Sequence, residues 1–143
     1  MEPLTVPGSL DSLSVIGQYV LSAAAAAGLD KKAAYRLRLA VDEIATNAII
    51  HGYHQANLKG DLDLRAIIDE TTLTIFLEDT GPPYNPDQIS KKIDLRLPLE
   101  KREVGGLGLS LAVQGVDKFH YERSGERNRH TFVVNRGAAS AKE

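Results

Sequence analysis

The sequence predicts an α+β domain, a two-layer α/β sandwich with helices on one face of a mainly antiparallel sheet. Three observations lead there. Apolar residues recur every three to four positions from Leu13 to Ala24 and from Leu37 to Ala48, the spacing of a helix face. They alternate with polar residues in "DLDLRAII" (61–68) and "TLTIFLE" (72–78), the spacing of half-buried strands. The order β-α-α-β-β-loop-α-β-β does not alternate strictly, which disfavours a doubly wound dinucleotide fold.

Each element has a local reason. "LTV" (4–6) is a short edge strand ended by Pro7-Gly8. Ser9 is placed to cap the first helix, whose stripe is Leu13, Ile16, Val20 and Ala24, and Gly28 ends it. Asp30 is placed to cap a second helix over 31–51, with Leu37, Val41, Ile44 and Ala48 as its core stripe and Gly52 as its stop. Asp69-Glu70-Thr71 makes the two following strands a hairpin. Residues 79–104 hold five glycines and prolines (81, 82, 83, 86, 98) and read as a long connection with a short helix near 86–93. Connections of that length in a small domain are lids or disordered. A third helix is expected over 107–116. Two last strands, 118–123 and 129–135, flank a turn at Ser124-Gly125. Residues 1–136 thus form one domain, and 137–143 a flexible tail.

Bulk properties narrow the function. A chain of 143 residues, 43% apolar and 25% charged, is an ordinary globular domain. Its net charge of −2 lacks the basic footprint of a nucleic-acid binder. With no cysteine, disulfides and thiolate metal sites are excluded. The N-terminus does not read as a secretory signal, and the run "VLSAAAAAG" is too short to span a bilayer. A cytoplasmic protein without direct membrane or nucleic-acid contact is the expectation.

Three short motifs carry chemistry. In "VDEIATNAIIHGY" (41–53), Glu43 and Asn47 stand four apart and share a helix face. A neutral amide oxygen suits Mg²⁺, which takes few protein ligands beside water and phosphate, and a carboxylate suits proton transfer. The same pair also reads as a solvated Glu with a helix-end Asn. His51 sits where a helix end favours it, and no second histidine has metal spacing to it. Asp79-Thr80-Gly81 ends a strand: the carboxylate suits an adenine amine, and equally a plain strand exit. Finally "EVGGLGLSLA" (103–112) puts Gly105, Gly106, Leu107 and Gly108 at the start of a helix. It fits neither the Rossmann nor the P-loop pattern. It remains either an anion cradle of backbone N–H groups or a mobile turn.

Taken in order, E-x-x-x-N on a helix, D-x-G after a strand and G-x-G opening a helix resemble the GHKL-type (Bergerat) ATP-binding fold of histidine kinases, gyrase and MutL. The chain most resembles its small members, the bacterial anti-sigma-factor serine/threonine kinases; "DEIATNAIIHGY" is similar to the sporulation type and "GPPYNP" to the stress-response type. The resemblance covers roughly 4–135. It implies ATP and Mg²⁺ as cofactors, Glu43 as general base and Asn47 as Mg²⁺ ligand. Asp79 would bind the adenine amine, Gly81 would shape the base pocket, and Gly105, Gly106, Leu107 and Gly108 would meet the phosphates. Residues 84–104 would be the ATP lid, and Thr131 falls where relatives often have a residue near adenine. Many relatives carry a basic residue where this chain has Ile50, so Lys101 or Arg102 is left to neutralise phosphate charge. The implied partners are a sigma factor, a STAS-type anti-anti-sigma antagonist and a second copy in a homodimer. The competing readings are a nucleotide-gated binding regulator without kinase activity and a histidine-kinase catalytic domain. The last would put dimerising helices with a phosphorylatable histidine ahead of the ATP motifs, where only the stretch before Asp30 stands.

Overall fold

In the computed structural model, residues 1–54, 57–83 and 115–136 are described. Their order is β1 (Leu4–Pro7), α1 (Leu13–Ala26), α2 (Lys31–Asn47), a π-helical segment (Ala48–His54), β2 (Asp61–Ile68), β3 (Thr72–Asp79), β4 (Lys118–Ser124) and β5 (Arg127–Asn135). The five strands form one sheet in the order β1-β2-β3-β5-β4, each neighbour antiparallel. Both helices pack on one face. The expected α+β sandwich is therefore the fold.

The core lies where the two periodicities meet. Ile16, Val20 and Ala24 of α1 and Leu37, Val41, Ile44 and Ala48 along α2 and its continuation are all buried. They face Leu62 and Leu64 of β2, Leu73, Ile75 and Leu77 of β3, and Phe132 and Val134 of β5. Leu13 of the expected first stripe is partly buried and packs at the margin. Asp30 caps α2 as its position suggests: its Oδ1 accepts from Ala33 N at 2.7 Å.

Two helix boundaries differ from the sequence reading. Ser9 makes no capping bond; it is extended, and a 3₁₀ turn (Leu10–Ser12) intervenes before α1. The hydroxyl that is used is Ser12's, which donates back to Pro7 O at 2.7 Å. The second departure matters more. Gly52 does not stop the second helix. The helix widens into a π-helical turn from Ala48 and runs to His54.

Tyr53 explains the widening. Its side chain is 1% exposed. Its hydroxyl donates to Asp61 O at 2.9 Å, accepts from Thr80 N at 2.9 Å and lies 3.2 Å from Thr80 Oγ1. Its ring fits between Gly8 and Gly60: a Cβ on either would come within 2.7 Å of ring carbons. The extra residue in the turn swings Tyr53 inward and pins the helix end to the ends of β2 and β3. Tyr53→Phe removes the acceptor of a Thr80 N–H and should cost about 1–3 kcal/mol. Urea unfolding checks this; an unchanged midpoint would contradict it.

The last hairpin is tighter than the sequence suggested. Ser124 pairs with Arg127, leaving Gly125-Glu126 as a two-residue loop with Gly125 at φ 60°. Among the described residues, no helix is long and apolar enough to cross a membrane. The expected short helix near 86–93, residues 107–114 of the third helix and the tail at 137–143 lie outside the described residues.

Candidate functional site

The site is built from the end of α2 and the end of β3. On α2, Glu43 and Asn47 share one face, both partly exposed. Asn47 Nδ2 donates to Glu43 O, one turn back, at 3.0 Å. That bond takes the amide nitrogen, so the carboxamide oxygen is the atom left for a cation. Among the described residues, no group of three or more His, Cys, Asp or Glu gathers into a metal site. A cation here would complete its shell with water or ligand oxygens, as Mg²⁺ commonly does.

Partial burial raises the carboxyl pKa of Glu43, and the neighbouring Asp42 carboxylate raises it further. Asp42 is itself raised by burial, against the pull of Arg38, whose Nε lies 3.6 Å from Asp42 Oδ2. A base with a raised pKa is a stronger proton acceptor. Its active, ionised form is lost as pH falls through that raised value. Any rate that depends on Glu43 should therefore fall at a pH above the ordinary glutamate range of about 4.3. Asp42→Asn removes the neighbouring charge and should move this acid limb to lower pH. A pH–rate profile of both proteins checks it; coincident limbs would contradict it.

Asp79 closes β3 and is 1% exposed. Its Oδ1 accepts from Gly81 N at 2.8 Å and from Asn128 Nδ2 at 2.7 Å. Its Oδ2 is buried, with no hydrogen-bond donor among the described residues. His130 Nε2 stands 3.6 Å from it. Gly81 lies in a tight place: a Cβ there would come 3.2 Å from Asp79 Oδ1 and 3.3 Å from Gly52 Cα. The D-x-G turn therefore rests directly on the π-helical continuation of α2. This contact, with the Tyr53–Thr80 bonds, joins the strand bearing Asp79 to the helix bearing Glu43 and Asn47.

Other expected residues fall elsewhere. Thr131 pairs with Phe76 and His120, on the sheet face opposite Asp79. The β5 residues on Asp79's face are Asn128 and His130, both fully buried and neither singled out from the sequence. Strand parity was the available signal. Counting back by twos from Phe132 reaches His130 and then Asn128. Lys101, Arg102, Gly105, Gly106, Leu107 and Gly108, with the lid expected over 84–104, lie outside the described residues.

The family described as "Histidine kinase-like ATPase domain" matches residues 6–134, nearly the whole chain. The chain belongs to that family. As a histidine kinase-like ATPase domain, it is 31% identical over 104 residues to a "Serine-protein kinase RsbW" of Bacillus licheniformis, covering 70% of this chain and 65% of that one. It is 29% identical over 129 residues to a protein of the same name from Staphylococcus aureus, covering 85% and 79%. The domain thus spans just under two thirds of the Bacillus licheniformis relative. Among solved structures, the histidine kinase domain of a blue-light activated histidine kinase from Erythrobacter litoralis superposes with a TM-score of 0.55 at 18% identity. That match covers 92% of this chain and 62% of the other. At that identity the likeness is one of fold.

Proposed function

We propose that this histidine kinase-like ATPase domain is an anti-sigma-factor serine kinase. It binds ATP with Mg²⁺ and phosphorylates a serine or threonine on a STAS-type anti-anti-sigma antagonist. The reading is carried by one observation: Asp79 is a buried carboxylate with one oxygen saturated and the other without a donor. A buried acceptor left open is costly unless a ligand supplies its partner. The exocyclic amine of adenine supplies an N–H, so the residues present fit the nucleotide. The relatives named serine-protein kinases support the activity.

ATP brings the phosphoryl group, and Mg²⁺ offsets the charge on its phosphates. The chain's own residues divide the remaining work. Asp79 Oδ2 accepts from the adenine amine, and Gly81 lets the base approach the backbone. Asn47 offers its side-chain oxygen to Mg²⁺. Glu43, a turn away and with a raised pKa, takes the proton of the acceptor hydroxyl. By resemblance, the glycines at 105, 106 and 108 and Leu107 hold the phosphates, with Lys101 or Arg102 neutralising charge.

The test is transfer of label from ATP to candidate STAS antagonists. Label on a serine or threonine is expected. No label on any cognate antagonist would leave a nucleotide-gated regulator instead. By the same resemblance the domain is a cytoplasmic homodimer that also binds a sigma factor. Light scattering should give the dimer mass at micromolar concentration; a monomer mass would contradict it.

A further inference from the structure

Asn128 and Gly81 both donate to Asp79 Oδ1, while Oδ2 has His130 Nε2 at 3.6 Å and no hydrogen-bond donor among the described residues. Asn128 Nδ2 faces three acceptors: Asp79 Oδ1 at 2.7 Å, Pro82 O at 2.9 Å and Gly81 O at 3.2 Å. Its Oδ1 faces two donors, Tyr121 O–H at 2.6 Å and Arg123 Nη1 at 3.2 Å. The amide therefore has one orientation. Turned over, its oxygen would face three oxygens, and its N–H groups would face a guanidinium that cannot accept. Arg123 Nη1 also donates to Gly81 O at 2.7 Å. Strand β4 thus grips both Asn128 and the turn after Asp79.

We infer that Asn128 is the specificity-positioning residue of the nucleotide site. It holds Asp79 Oδ1 so that Oδ2 is presented to a purine bearing an exocyclic amine, with Tyr121 and Arg123 fixing its orientation. The inference rests on the proposed ATP site and deepens it. A carboxylate held by Gly81 N alone can rotate about its Cβ–Cγ bond and share either oxygen. With Asn128 added, both donors converge on one oxygen in a fully buried place. The carboxylate is then oriented for the amine in the free protein, before any ligand binds.

The discriminating readout is a ratio of affinities. ATP and purine riboside triphosphate differ only in the 6-amino group. Equilibrium titration of both with the full chain should show wild type favouring ATP by about 10-fold or more, since a site holding an unpaired buried acceptor rejects a ligand without the donor. Asn128→Ala should bring that ratio near to unity, mostly through weaker ATP binding. A purely structural role would weaken both ligands alike and leave the ratio intact, which would overturn the inference. Tyr121→Phe keeps Asn128 and removes one donor from its oxygen; it should lower the ratio by a smaller factor. If Asn128→Ala does not fold, an unchanged ratio in Tyr121→Phe overturns the inference. Wild type binding both ligands equally would also overturn it while leaving the ATP site standing. Wild type binding neither would remove the ATP site and the inference together.

Discussion

Glu43→Gln should slow phosphoryl transfer at least about 100-fold while ATP affinity stays within a small factor of wild type. The substitution keeps the shape of the side chain and removes the proton acceptor. The acceptor hydroxyl is not part of the nucleotide, so losing the base should leave binding intact. Asn47 Nδ2 is bonded to the backbone oxygen of residue 43, not to its side chain, so that contact also survives. The environment of Glu43 makes a large effect reasonable. Partial burial and the Asp42 charge both favour its taking a proton. Paired measurements of nucleotide affinity and labelled transfer check this. Transfer at the wild-type rate would mean that the base is another residue.

Asn47→Ala should have the second large effect, and a different signature. Both Mg²⁺-dependent nucleotide affinity and transfer should fall, transfer by at least about 100-fold, because a metal that clamps phosphate oxygens contributes several kcal/mol. The fold should not suffer. Alanine has the highest helix propensity, and Asn47 spends only a local bond to its own helix. A thermal melt at or above wild type, with nucleotide affinity lost, is the expected pair of results. Intact affinity in the presence of Mg²⁺ would move the metal away from Asn47.

Much of this was legible because periodicity reports a buried face. The stripe Leu37, Val41, Ile44 and Ala48 is buried, and the alternation in 61–68 and 72–78 matches two paired strands. Asp30 caps because capping is local chemistry. What was missed depends on contacts across the fold. Gly52 looks like a helix stop, yet the turn continues because Tyr53 finds partners at Asp61 and Thr80, residues set by a distant hairpin. His130 falls inside the expected last strand and Asn128 just before it, and neither stands out in the sequence, whereas β5 starts at Arg127 and turns both inward beside Asp79. Thr131, expected near adenine by resemblance, follows His130 by one residue and so lies on the sheet face opposite Asp79. Glu43, Asn47 and Asp79 stand out in the sequence as candidate site residues. The contact that joins their two elements, Gly81 against Gly52, does not, since Gly52 reads as a helix stop and Gly81 as a turn or base-pocket residue, and neither reading sets one against the other.

The measurement that bears most directly on the account is calorimetric titration of the chain with ATP, in the presence of Mg²⁺ and again with the metal chelated. A saturable heat with ATP, weakened on chelation and weakened again in Asp79→Asn, is the predicted result. No heat with ATP or ADP under any of these conditions would contradict the nucleotide site itself, and with it every role assigned to Glu43, Asn47 and Asp79.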